Sequence, residues 1–124
     1  MHGREILAVI GFQAANLDLI LLTGSEDTFL KVSYYNHTQQ LLTTQQTFCN
    51  HVASIRAITK LKLSESEYLI LSAGSRMQAH LYRATITADG HFKMSHLCQF
   101  MKSFEQDEEQ DYRIMSAALL QIGD

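Results

Sequence analysis

Cys49 to Ala84, CNHVASIRAITKLKLSESEYLILSAGSRMQAHLYRA, is the stretch whose reading decides the fold. His51 stands just before an alternating run, Ser54 to Leu63, which places Ile55, Ala57, Thr59 and Leu61 on one face of a strand. Ser64 to Glu67 is a polar turn. Tyr68 to Ala73 is a short, almost wholly apolar strand closed by Gly74 and Ser75. Gln78 to Tyr82 opens a third strand that continues through Ile86. Short strands parted by polar and glycine-bearing turns predict an antiparallel meander.

The preceding residues repeat this pattern. At a shift of 49 residues His2 falls on His51, Ile6 on Ile55, Ala8 on Ala57 and Val9 on Ile58, and Ser33 falls on Tyr82. Gly24-Ser25 reaches Gly74-Ser75 only at a shift of 50, which implies one inserted residue in the turn. Within Leu19 to Tyr35, Gly24-Ser25-Glu26-Asp27 followed by Lys31-Val32 resembles the second turn and third strand of a WD repeat, one four-stranded blade of a β-propeller.

That resemblance implies a fold and a set of structural residues. A WD-repeat blade staples its strands with a hydrogen-bonded set of His, Ser or Thr, Asp and an indole, because buried polar groups need partners. The first repeat offers His2, Thr23 and Asp27, with Ser33 at the indole position. The second offers His51 and Tyr82, with Ala73 at the hydroxyl position, Ser72 beside it, and no Asp. The chain has no Trp.

The expected fold is all-β: two consecutive four-stranded antiparallel WD-repeat blades and the start of a third. Residues 1–50 form one blade, 51–101 the next, 102–111 an acidic inter-blade loop and 112–124 the first strand of a further blade. In order, the first blade is Glu5 to Phe12, Leu17 to Thr23, Phe29 to Tyr35 and the polar outer strand Gln39 to Phe48. The apolar first strand is expected to be buried on both faces. In the second blade an Ala88-Asp89-Gly90 turn leads to an outer strand, His91 to Met101. Ile6, Ala8, Ile20, Leu22, Ile55, Ala57, Ile70 and Leu71 are expected between the sheets. Propellers close with roughly 4–8 blades, so the 124 residues are expected to be a fragment of a longer protein.

Composition limits the function classes. A net charge of −3 disfavours an autonomous nucleic-acid binder, which needs a basic face. Two cysteines, no apolar run near the ~18 residues of a membrane span, and no signal peptide read as intracellular and soluble. There is no phosphate loop, no His-Glu-x-x-His and no nucleophile elbow. Cys49 with His51 and His96 with Cys98 share strand faces, as zinc ligands would. At a separation of 49 residues the cysteines take equivalent places in neighbouring blades, too far apart for one metal or a disulfide. His37, His80, His91 and His96 have no carboxylate or thiol partner at catalytic spacing. No cofactor, metal or small-molecule substrate is expected, and no enzyme activity.

The resemblance sharpens in the order of five motifs. Ser25 to Val32 (SEDTFLKV), Asn50 to Ile58 (NHVASIRAI), the Ala73-Gly74-Ser75-Arg76-x-Gln78 turn with Leu81-Tyr82, an acidic insert, and Asp111 to Ser116 (DYRIMS) together resemble the WD repeat-containing protein 6 family. Membership would imply a large, cytoplasmic, non-catalytic, multi-propeller subunit. Its partner would be an FtsJ-type methyltransferase that 2′-O-methylates the wobble ribose of certain tRNAs. The enzyme would hold S-adenosylmethionine and the propellers would position the tRNA. The alternative is a generic WD-repeat adaptor in ubiquitin ligation or traffic. In a propeller the His-bearing turn and the turn between strands two and three open on one surface, so Glu26, Arg76 and Met77 are the candidate partner face.

Overall fold

The structure, a computed structural model, describes residues 2–13, 18–76, 78–87, 91–101, 117, 118 and 120. The strands are β1 (Ile6–Gln13), β2 (Leu19–Ser25), β3 (Leu30–Asn36) and β4 (Leu41–Phe48), then β5 (Ile55–Lys62), β6 (Glu67–Gly74), β7 (Gln78–Ile86) and β8 (Phe92–Met101). They form two four-stranded sheets, β1-β2-β3-β4 and β5-β6-β7-β8, each antiparallel and in sequence order. Consecutive antiparallel pairing follows from the short turns, since a parallel pair would need a long crossover. No helix occurs among the described residues. The expected all-β class and paired meanders are what the chain adopts, and repeated antiparallel sheets of this kind fit a propeller-like repeat fold.

The repeat extends to irregularities in the backbone. β1 carries a bulge between Ile6 and Ala8, and β5 carries one between Ile55 and Ala57. β3 and β7 each shift register against their outer strands, at Val32/Ser33 and at Leu81/Tyr82. Bulges are specific structural features, and matching ones in two sheets mark the sheets as copies of one design.

This register corrects the sequence alignment at one corner. Ile6 pairs with Ser25 and Ile55 pairs with Gly74, so the two sheets stay aligned through the turn without an inserted residue. Gly24 therefore matches Ala73, and Ser25 matches Gly74. The identical Gly-Ser dipeptides are offset by one place. The two glycines are small for different reasons. A Cβ on Gly24 would overlap the Ile55 methyl of the facing sheet, and one on Gly74 would overlap the Ser54 carbonyl oxygen.

The sheets stack with β5 lying across β1 and β2. Phe12, Ile20, Leu22, Leu30 and Val32 from the first sheet meet Ile55, Ile70, Tyr82, Ala84 and Met94 from the second. Phe12 takes the edge of the Tyr68 ring at 4.7 Å, and Phe48 packs on Tyr82 at 5.2 Å. The Lys60 ammonium lies over the Phe12 ring, 4.4 Å from its centre.

Packing also corrects which residues share a face. The bulge at Arg56 turns Ile55 onto the same side as Ile58 and Lys60, toward the first sheet. Ala57, Thr59 and Leu61 then point the other way, so the expected single row from Ile55 to Leu61 is split. Leu71 alternates with Ile70 and also points away. Ile6 is 46% exposed and Val9 60% exposed, so β1 is not covered on both faces. The outer strand β4 is largely exposed, as its polar sequence predicts. The 88–90 turn, Met77, the acidic 102–111 loop and nearly all of the 112–124 strand lie outside the described residues.

Candidate functional site

Two histidine-centred clusters staple the sheets at the end where β2 turns into β3 and β6 turns into β7. In the first sheet His2 Nδ1 lies 2.9 Å from the Asp27 carboxylate, and Nε2 lies 2.7 Å from Thr23 Oγ1. In the tautomer that donates Nδ1–H to Asp27, His2 Nε2 accepts the Thr23 hydroxyl. Asp27 also accepts the Gly3 and Phe29 N–H groups at 3.1 and 3.0 Å. Burial alone would raise the Asp27 carboxyl. Its hydrogen bonds from Phe29, His2 and Gly3 outweigh that and hold it below the usual range. His2, Thr23 and Asp27 are thus brought together, and Ser33 sits apart, facing Thr44 across the β3–β4 ladder.

The removal of Asp27 should be felt at three donors at once. Asp27→Ala is expected to lower unfolding stability by about 2–3 kcal/mol, the range for losing a cap-like acceptor with its charge-assisted bonds. Urea unfolding at neutral pH measures it. A loss below about 0.5 kcal/mol would mean the carboxylate holds nothing together.

The second sheet builds its cluster from different groups. His51 Nε2 lies 2.7 Å from Ser72 Oγ, so the hydroxyl comes from Ser72 and not from Ala73, whose side chain points to the opposite face. In the aligned register Asp27 is matched by Arg76, so no carboxylate meets His51. Its Nδ1 is buried without a partner among the described residues. His80 Nδ1 lies 2.9 Å from His96 Nε2, and His80 Nε2 is likewise buried and unpartnered. The His51 and His80 rings meet edge to face at 4.4 Å, and His96 meets Tyr82 at 5.2 Å. Tyr82 donates its O–H to Asn50 at 3.1 Å.

Desolvation dominates this cluster. It lowers His51 to about 3 and His80 to about 4, with the neighbouring imidazoles adding to the effect. Burial also raises the Tyr82 phenol to about 12. These groups are neutral near pH 7 and serve as packing and hydrogen-bonding groups. Sequence reasoning set His80 and His96 aside for want of a carboxylate or thiol. They partner one another across the β7–β8 ladder, a pairing visible only once the bulge at Tyr82 sets the register.

The exposed rim of this end carries the candidate partner face. Glu26 N–H bonds to Glu5 carbonyl at 3.1 Å and Ser75 N–H to Ser54 carbonyl at 3.0 Å, so the two corners share this backbone bond. Gly24 of one sheet meets Ile55 of the other, and Phe12 meets Tyr68 at the far end. The sheets therefore run the same way, and Glu26 and Arg76 lie at one end of the molecule. Arg76 is exposed, and its backbone is left-handed, with φ of 62°.

Nothing elsewhere assembles a reactive constellation among the described residues. A cleft of about 290 Å³ opens between the sheets at the opposite end, beside Ile20, Val32 and Phe92. Its Tyr34 phenol already donates to Asp18. Among the described residues no cluster of three or more His, Cys, Asp or Glu is placed to hold a metal ion. Cys49 and Cys98 are free and exposed. They are not repeat equivalents: Cys98 pairs with Leu81 as Gln46 pairs with Val32, while Cys49 follows the end of β4. No helix among the described residues is long and apolar enough to cross a membrane. Compared with known proteins, the chain matches no family model and no curated protein sequence.

Proposed function

We propose that the chain is part of a WD-repeat propeller that works as a non-catalytic scaffold. The observation that carries this is a repeated pair of complementary faces. The first sheet meets the second through Phe12, Ile20, Leu22 and Val32, which are 3%, 1%, 0% and 2% exposed. In the aligned register the same positions on the second sheet are Leu61, Leu69, Leu71 and Leu81. These point away from the first sheet and are only partly covered among the described residues. The opposite faces correspond as well. The second sheet's Ile55, Ile70 and Met94 are buried, whereas the first sheet's Ile6 and Leu42, matching Ile55 and Met94, are exposed.

Each sheet thus has one apolar face that receives the next sheet and one that is received. Such head-to-tail contacts build arrays or, if the rotation closes, rings. A repeat array offers rims and turns as binding surface and needs no catalytic centre. The order of motifs from SEDTFLKV to DYRIMS supports the finer reading: a cytoplasmic subunit that positions tRNA for an FtsJ-type methyltransferase acting on the wobble ribose. The methyltransferase would supply the S-adenosylmethionine.

Affinity capture of the chain should retain a methyltransferase of this class. Recovery of a ubiquitin ligase or coat complex in its place would favour the generic adaptor, and S-adenosylmethionine binding by the chain itself would remove the non-catalytic reading. Arg76→Glu is expected to weaken methyltransferase or tRNA association while leaving the thermal midpoint unchanged.

The paired faces also predict behaviour in solution. The isolated chain should bind a hydrophobic dye and associate as its concentration rises. Val9→Glu, on the exposed face of the first sheet that would be received, should reduce both effects in sedimentation and dye titration. A monomer that binds no dye at high concentration would contradict the paired-face reading.

A further inference from the structure

One corner of the second sheet is charged in a way the repeat does not require. Arg56, the extra residue of the β5 bulge, directs Nε to Ser75 Oγ at 3.4 Å, and Arg76 follows Ser75 directly in the chain. Ser75 is thus flanked by two arginines, Arg56 through a side-chain hydrogen bond and the exposed Arg76 through the chain. Ion pairs among the described residues include His2–Asp27, Lys62–Glu65 and Arg83–Glu67. Neither arginine takes part in them. The matching corner of the first sheet has the same backbone bond but carries Glu26 and Asp27. The fold accepts either sign there, and a chain of net charge −3 has concentrated positive charge at this point.

Two further features prepare the corner for a ligand. Arg76 is held at φ 62°, a backbone state that side chains other than Gly, Asn and Asp occupy at a cost, and such strain gathers at binding sites. Beside it the buried Gln78 side chain accepts the Val52 N–H at 2.9 Å and donates to the Asn50 carbonyl at 3.4 Å. The Asn50–Val52 loop is pinned by this clamp to Gln78, two residues beyond Arg76, and Val52 in it is 63% exposed. Less side-chain and loop freedom is lost when a surface of this kind binds.

We propose that Arg56, Ser75, Arg76 and Val52 form a docking corner for an acidic segment of a partner protein. Guanidinium forks match carboxylates in bidentate geometry, and the exposed valine takes an apolar side chain from the same segment. The overall negative charge and the apolar knob favour a peptide over nucleic acid, which calls for a broad basic surface and stacking aromatics. The proposal deepens the partner face above and rests on that reading for the role of the face alone.

The full chain would be titrated into a short fluorescein-labelled glutamate–leucine peptide and read by fluorescence anisotropy. A glutamine-for-glutamate peptide and a labelled oligouridylate serve as the other arms. Arg76→Gly keeps the left-handed backbone while removing the guanidinium, and Arg56→Gln removes the second charge. Each is expected to weaken peptide binding about tenfold, and Val52→Ser about threefold, with unchanged thermal midpoints. The glutamine peptide should not bind. Absence of binding by the glutamate peptide overturns the proposal, as does unchanged affinity in both arginine variants. Equal binding of oligouridylate, lost with the same substitutions, would make the corner a phosphate site and overturn it too. Peptide binding that vanishes in Arg76→Glu while methyltransferase capture persists would separate the corner from the scaffold reading.

Discussion

Between pH 7 and pH 5 the chain is expected to lose about 2–4 kcal/mol of unfolding stability through His51 and His80. Both rings are buried, at 4% and 1% exposure, and each has one nitrogen without a partner among the described residues. In the native state they titrate near about 3 and about 4. In an unfolded chain they would titrate near 6.5. Below that value the unfolded state binds protons that the native state refuses, so stability rises with pH. The contribution is therefore full above about 6.5 and is lost as pH falls toward the native values. Among the described residues the groups facing this pair are His96 from β8, Ser72 from β6 and Tyr82 from β7, with no carboxylate among them. Asp27, held low by its hydrogen bonds, adds acid sensitivity only below the ordinary carboxylate range. Urea unfolding at several pH values measures the slope. His80→Leu should flatten it, because an apolar ring substitute has nothing to protonate. Equal stability at pH 7 and pH 5 would refute the buried neutral cluster, and domain stabilities of ~5–15 kcal/mol make the effect easy to see.

The second large effect is expected at the contact between the sheets. Ile55→Ala should cost about 2–5 kcal/mol, since it empties a fully buried site on the facing sheet. Gly24→Ala should cost about 1–3 kcal/mol alone, because its new Cβ enters the space of the Ile55 methyl. The two changes address the same volume from opposite sides. The double variant should therefore lose less than the sum of the singles, with a coupling of about 1 kcal/mol or more. Additive losses would mean that the two sheets do not meet at this point. Gly74→Ala provides the contrast: its clash is with the Ser54 backbone, which has no side chain to trim, so no second substitution should rescue it.

Much of the architecture can be read directly from the residues. Alternation from Ile55 to Lys62, the apolar run of β6 and the turn residues between them predict strands, and their short spacing dictates antiparallel neighbours. The shift of 49 residues identifies two copies. Strands, turns and repeat are local properties, set by pleat, turn chemistry and repeat spacing, and they survive any choice of sheet packing. The grouping of His2, Thr23 and Asp27 came instead from the WD-repeat resemblance, and the structure brings the three together.

Other features depended on register and contact. A bulge adds one residue and turns the side chains beyond it to the other face, so Ile55 and Ala57 part company although the sequence alternates evenly. The same slip in β8 brings His96 to His80 and separates Cys98 from its apparent counterpart Cys49. Ser72, rather than Ala73, reaches His51 because β6 presents alternate residues to opposite sides. Strand propensity and spacing carry no information about which residue is extra in a ladder, because the extra residue is selected by the partner strand. The meander and its repeat were thus legible in the chain, whereas the faces, the histidine cluster and the arginine corner were decided by tertiary packing.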